Sequence, residues 1–303
     1  MKILLGHDGS HASDVVFGDL SLAGLPPSGQ AIVVSVAEMW LPSPRSYGLM
    51  DRVVADQAGD GNQAAAALAR RAGERVQKAL PGWSVETVAY AGSAALSIIK
   101  KADEWRPDLI IVGSHGQSAV SRVLLGSVAQ KIVTEARCSV RIARARRSGR
   151  TGSAVRLVVG VDGSPGSDAT LRAIAARAWP KGSEAHIVTG TGPFTVVAPG
   201  SESLAQALIS ISPKERDEIL AQTRQAQAAA EQTLRAAGLA VTKMVKEGDP
   251  KHLLLAEADA FAADCIFVGS TGLSRFERFL LGSVSAAVAP RAPCSVEVVR
   301  LAT

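Results

Sequence analysis

The chain has 303 residues, 47% hydrophobic, 20% charged and 4% aromatic, with a formal net charge of +5. This is an ordinary soluble composition, long enough for two domains of typical size. No apolar stretch reaches the ~20 residues of a membrane span, and so few aromatics argue against a nucleic-acid surface, leaving the charge as a lean towards anionic ligands.

The first strand is read at KILLGHD, 2–8, followed by Gly9 and a helix cap at Ser10. A second strand at 31–37 leads into an irregular stretch, 40–52, too long for an ordinary connection. An alanine-rich helix (54–80), a strand (83–90), a helix (94–105), an apolar strand from Leu109 to Val112 and a final strand (139–144) follow. The polar segment 144–154 reads as a linker, giving domains 1–145 and 155–303. The second half repeats the series: RLVVGVD (156–162) with Ser164 as cap and Pro165 at the first helical position, a strand (184–190), an irregular stretch (191–211), helices at 213–237 and 250–262, and strands at 240–246 and 295–300. Strands alternating with helices predict an α/β fold, two tandem doubly wound five-stranded parallel sheets.

Within each half one stretch carries chemistry. DLIIVGSHGQSAVSRVLLGSV (Asp108 to Val128) places Gly113, Gly116 and Gly126 after an apolar strand and before Ser127. DCIFVGSTGLSRFERFLLGSV (Asp264 to Val284) repeats the spacing with Gly269, Gly272, Gly282 and Ser283. Glycine lets the backbone come close to a ligand, and Ser127 with Gln130 reads as a capping box. The helix start then offers unpaired N–H groups and a partial positive charge to a phosphate. Both first strands also end in Asp-Gly-Ser, which sets Asp8 and Asp162 at the sheet edge where open parallel sheets bind ligands.

Each half resembles a universal stress protein domain of the subgroup that carries G-x2-G-x9-G-[ST], and the whole chain resembles a tandem universal stress protein with a Rossmann-like, adenine nucleotide alpha hydrolase-like fold. The resemblance implies ATP, with or without Mg2+. Asp8 with Val36, and Asp162 with Thr189, would hold adenine and ribose; Gly113, Gly116, Gly126, Ser127 and Val128, and Gly269, Gly272, Gly282, Ser283 and Val284, would hold the phosphates. At Thr189 the sequence TGTGP replaces an apolar strand end, which predicts a weaker second site.

No P-loop lysine follows either glycine loop, no ordered Ser/His/Asp or Cys/His set is legible, and no catalytic residue or metal ligand is assigned. His7 and His115 read as plain loop histidines, the loop arginines Arg122, Arg275 and Arg278 as solvated or phosphate-facing, and Arg137, Arg141, Arg144, Arg146, Arg147 and Arg150 as a solvated face. Cys138, Cys265 and Cys294 have neither disulfide nor zinc spacing. With Met1-Lys2 entering a strand directly, they predict a cytoplasmic protein. The expected function is an ATP-binding stress-response regulator; a slow ATP hydrolase or adenylate-handling enzyme, and a ligand-free scaffold, stay open.

The closing strands CSVRIAR (138–144) and CSVEVVR (294–300) have no later strand to cover them. An uncovered edge is a hazard, so they are expected to pair antiparallel in an intrachain pseudo-dimer, with Ile142 and Val298 in the seam. Single-domain members of the resembling family dimerise through this strand, and a further homodimer stays open.

Overall fold

A computed structural model of the chain describes residues 1–38, 51–115, 125–146, 152–192, 195–197, 208–210, 212–272 and 281–301. The first half contains β1 (Lys2–Gly6), α1 (His11–Asp19), β2 (Gly29–Ala37), α2 (Asp51–Ala79), β3 (Trp83–Ala91), α3 (Ala94–Trp105), β4 (Leu109–Gly113), α4 (Ser127–Glu135) and β5 (Ser139–Ala143). The second contains β6 (Arg156–Gly160), α5 (Pro165–Ala175), β7 (Glu184–Gly190), β8 (Thr195–Val197), β9 (Leu208–Ser210), α6 (Pro213–Ala236), β10 (Ala240–Lys246), α7 (Pro250–Ala260), β11 (Cys265–Gly269), α8 (Ser283–Arg291) and β12 (Ser295–Val299). The antiparallel pair β8–β9 lies where the sequence reads as irregular, since three-residue strands carry too little periodicity to be seen.

Ten strands form one sheet in the order β10-β7-β6-β11-β12-β5-β4-β1-β2-β3. Each half is wound 5-4-1-2-3 in its own count, and its strands run parallel. The order in which strands are added reverses between β1 and β4, and between β6 and β11, so a crevice opens at the carboxyl ends of those parallel strand pairs. The inner strands are nearly continuous Val, Ile and Leu because both their faces are covered: Ile3, Leu4, Ile110, Ile111 and Phe267 are fully buried. The outermost strands, β3 and β10, are more polar and partly exposed.

β5 and β12 pair antiparallel, with Val140 opposite Val298, Arg141 opposite Glu297 and Ile142 opposite Val296. Alternate residues point to opposite faces. On the face covered by α3, α4, α7 and α8, Ile142, Val140, Val296 and Val298 join one apolar core that runs through both halves. On the other face there are two cores, one for each half, with Leu22 of the first half packed into that of the second, and buried charge lies near the seam.

There Arg141 is completely buried. Its Nε donates to Asp19 at 2.5 Å, its Nη2 to the other Asp19 oxygen at 2.9 Å and its Nη1 to Glu297 at 3.2 Å. Arg177 binds both oxygens of Glu297, and Ser295 Oγ donates to Asp19 at 2.7 Å. The expectation of a solvated arginine row is therefore wrong for Arg141, because strand pairing and the α1 side cover it on both sides. Arg144 and Arg146 are also engaged, Arg146 with Asp264 at 2.9 Å and with the carbonyls of Gly152 and Ala154. Arg147 and Arg150 lie outside the described residues.

Candidate functional site

The switch between β1 and β4 opens into a cleft of about 880 Å³, a volume typical of small-molecule sites. Its floor comes from the strand ends: His7 and Asp8 after β1, Val34 and Val36 on β2, Gly113 on β4. One wall is α2, which presents only small residues at Gly61, Ala64 and Ala65 before Leu68. The opposite rim is the first turn of α4, where Gly126, Ser127, Val128 and Ala129 all face the cleft.

That turn departs from the expected capping box. Gly126, not Ser127, is the N-cap, and no side chain caps the helix. The first intrahelical bond runs from Gln130 N–H to the Gly126 carbonyl at 2.8 Å, so the helix starts one residue earlier than the Ser–Gln spacing implies. The N–H groups of Ser127, Val128 and Ala129 precede that bond and have no partner within the helix. They line the cleft at the positive end of the helix, where an anion is favoured.

Asp8 Oδ1 accepts from Ser10 N–H at 2.9 Å and Ser10 Oγ at 2.7 Å. It thus shapes the turn into α1, capped by Ser10, and lines the cleft as well. Gly9 takes a φ of +78°, and a side chain there would press on Leu68 at 3.1 Å. The structure therefore brings Asp8, Val36, Gly113, Gly126, Ser127 and Val128 to one cleft. Gly116, Arg122, Arg275 and Arg278 lie outside the described residues.

In the second half α8 repeats the geometry: Gly282 is the N-cap, Ser283 and Val284 open the helix, and Ala286 N–H reaches the Gly282 carbonyl at 2.9 Å. Asp162 Oδ1 takes Ser164 N–H at 2.9 Å. A Cβ on Gly272 would stand 2.9 Å from Asp162 Oδ2, and one on Gly269 would stand 2.8 Å from the Gly166 backbone. The chain after β11 thus rests directly on the start of α5. Thr189 is buried; its Oγ1 donates to the Val161 carbonyl at 2.7 Å and accepts from Gln227 Nε2 at 3.0 Å. Gln227 also donates to the Met244 carbonyl at 2.6 Å.

Gly9 packs against Leu68, and Gly163 packs against Ala226, which aligns α2 with α6. In that alignment Gln227 occupies the place of Ala69, while Ile219, Gln222 and Thr223 replace Gly61, Ala64 and Ala65. The small-residue wall of α2 escaped the sequence reading, although the run GNQAAAALA, 61–69, was its signal.

Sequence reading also set aside His7. It is buried at the cleft floor, with Nε2 at 3.1 Å from Asp14 Oδ1 and Nδ1 without a hydrogen-bond partner. Arg75 reaches the same Asp14 oxygen at 2.5 Å. Burial raises the Asp14 carboxyl, but hydrogen bonds from His7 and Arg75 more than offset it and hold the pKa below its ordinary value. Among the described residues no three His, Cys, Asp or Glu groups gather to hold a metal, and no helix is long and apolar enough to cross a membrane.

Two doubly wound parallel-sheet halves, each with a glycine-capped helix at its switch point, define a tandem Rossmann-like protein. The chain belongs to the universal stress protein family, whose profile matches residues 1–144 and 155–300. A universal stress protein of Mycolicibacterium smegmatis is 27% identical over 315 residues, covering 98% of this chain and 96% of that one. The crystal structure of a universal stress protein from Archaeoglobus fulgidus shares the fold over 99% of this chain and 98% of its own, with a TM-score of 0.61 at 22% identity. A universal stress protein solved in complex with cAMP covers 48% of this chain at 29% identity, with a TM-score of 0.31.

Proposed function

We propose that the protein is a cytoplasmic ATP-binding regulator of the stress response, built as an intrachain pseudo-dimer of domains 1–145 and 155–303, with its principal nucleotide site in the first-half cleft. The observation that carries this reading is the first turn of α4, whose unpaired amides open onto a cleft of about 880 Å³ walled by small residues. That cradle suits a polyphosphate, and the apolar strand end at Val36 suits a purine. In this reading Asp8 and Val36 hold the nucleoside, and Gly113, Gly116, Gly126, Ser127 and Val128 hold the phosphates. Asp162, Thr189, Gly269, Gly272, Gly282, Ser283 and Val284 form a weaker counterpart in the second half. A Mg2+ ion would arrive with the nucleotide and neutralise phosphate charge.

No lysine is aimed at a terminal phosphate from a P-loop, and phosphoryl transfer depends on positioned charge, so turnover is slow and occupancy is the signal. The rival reading, a slow hydrolase, draws on the His7–Asp14 pair, which has the arrangement of a base and its orienting carboxylate. Calorimetry with ATP, ADP and cAMP on the wild type and on Ala65→Trp tests the site. The bulky side chain fills the cleft and weakens ATP binding by about tenfold or more; unchanged affinity overturns the assignment. A steady-state ATPase rate above ~1 s⁻¹, in the range of ordinary enzymes, promotes the hydrolase.

A further inference from the structure

The residues that follow the two paired strands reach across the seam in mirrored fashion. Arg144, just after β5, donates its N–H to Ser295 Oγ at 2.9 Å; Arg300, just after β12, donates its N–H to Ser139 Oγ at 3.2 Å. Their guanidinium groups then run to the helix of the opposite half. Arg300 Nη2 donates to the carbonyls of Val133 and Thr134, both at 2.9 Å. Arg144 Nη2 donates to the carbonyls of Ala289 at 2.7 Å and Pro290 at 3.4 Å, and its Nη1 to Cys294 at 3.3 Å.

Apart from that of Cys294, those carbonyls are the ones each helix leaves over. The last intrahelical bond of α4 is Ala136 N–H to Ile132, and that of α8 is Ala292 N–H to Val288. The next two carbonyls, Val133 and Thr134 in one helix and Ala289 and Pro290 in the other, have no amide in reach. Each arginine takes both. A cation at a helix C-terminus is favoured by the dipole, and among the described residues neither guanidinium has a carboxylate partner. Burial pushes both below their ordinary pKa, and the helix-end carbonyls supply hydrogen bonds to guanidinium groups withdrawn from water.

α4 and α8 are the two helices whose N-termini carry the glycine caps of the candidate sites. Each has nine residues, so roughly 13 Å separates the clamped end from the ligand end.

We propose that Arg300 is a positioning residue for the first-half nucleotide site, and Arg144 for the second, so that each phosphate-binding helix is fixed by the other half of the chain. This rests on the nucleotide reading above. It makes the seam the regulated element: a change that separates β5 from β12 releases α4 and lowers its hold on phosphate without touching the cleft.

The test uses the full chain and the variants Arg300→Gln, Arg300→Lys and Arg144→Gln, with hydrogen exchange of the α4 and α8 amides and calorimetry with ATP. Arg300→Gln loses protection in α4 while α8 keeps it, and binds ATP about fivefold more weakly. Arg144→Gln loses protection in α8 instead. Arg300→Lys, which keeps a cation but not the fork, gives a smaller change in the same direction and stands in if the glutamine variant fails to fold. A purely structural role would loosen both helices alike in both variants, and that pattern, or an ATP affinity unchanged in Arg300→Gln and Arg300→Lys, overturns the proposal. If the wild type binds no adenine nucleotide, the reading of the site fails separately. The exchange pattern then still decides the clamp: loss confined to α4 in Arg300→Gln upholds it, and an unchanged α4 refutes it.

Discussion

Arg141 is held by Asp19 and Glu297 with no exposure to solvent. Burying a charge is costly unless it is paired, and removing one partner of a buried pair typically costs about 3–5 kcal/mol. Arg141→Met therefore leaves two buried carboxylates short of donors and should lower the unfolding free energy by that order, read as a fall in the urea midpoint. Adding Asp19→Asn and Glu297→Gln should recover part of the loss; an unaffected midpoint in the single variant would refute the network's role. Asp14 gives a pH-dependent counterpart. Its folded pKa lies below the ordinary 3.8, so its contribution is present above the unfolded value and is lost as pH falls through the folded one. Stability curves of wild type and Asp14→Asn should differ at neutral pH and converge as pH falls through the lowered folded value; parallel curves would count against the His7–Asp14–Arg75 cluster. At this scale Asp8 and the glycines were legible because Asp-Gly-Ser and spaced glycines mark turns whatever surrounds them. The burial of Arg141 was not, since a polar residue at an alternating strand position reads as solvated until the element covering it is known.

At the scale of elements, α2 and α6 separate two halves that otherwise repeat each other. α2 offers Gly61, Ala64 and Ala65 to its cleft, whereas α6 sends Gln227 across to Thr189 and Met244. The second half should therefore bind ATP more weakly, as the Thr189 segment alone suggests. In calorimetry, Ala65→Trp should leave only a weak residual isotherm, while Gly272→Val should leave the main one intact; equal affinities would sink this. Gln227→Ala should cost about 1 kcal/mol, because the Met244 carbonyl and Thr189 hydroxyl lose a buried donor. The order of the ten sheet strands and the helices between them was legible, including the caps at Ser10 and Ser164, while the short β8–β9 pair was not. The start of α4 was misplaced by one residue because a glycine N-cap carries no side-chain signature, and a serine beside it invites the assignment.

Across the whole molecule the sheet continues from one half into the other through Val140, Arg141 and Ile142. Val140→Cys with Val298→Cys places thiols on directly opposed residues and should crosslink within one chain under mild oxidation. A crosslink formed only between chains would refute the intrachain pairing. The pairing of the two closing strands was foreseeable from their one uncovered edge each together with the family resemblance, but its chemistry was not.

Arg141 and Glu297 stand 156 residues apart in the sequence, the same interval that separates Gly113 from Gly269, so they are the same position of the repeated unit, and they meet face to face. If an edge instead chose its own kind from another molecule, arginine would face arginine at one junction and glutamate would face glutamate at the next. Every chain carries one edge of each type, so such like-with-like association would give each molecule two junctions and link chains into larger assemblies. A single inversion of charge between two repeats thus favours pairing of the two closing edges within one chain over pairing of like edges between chains.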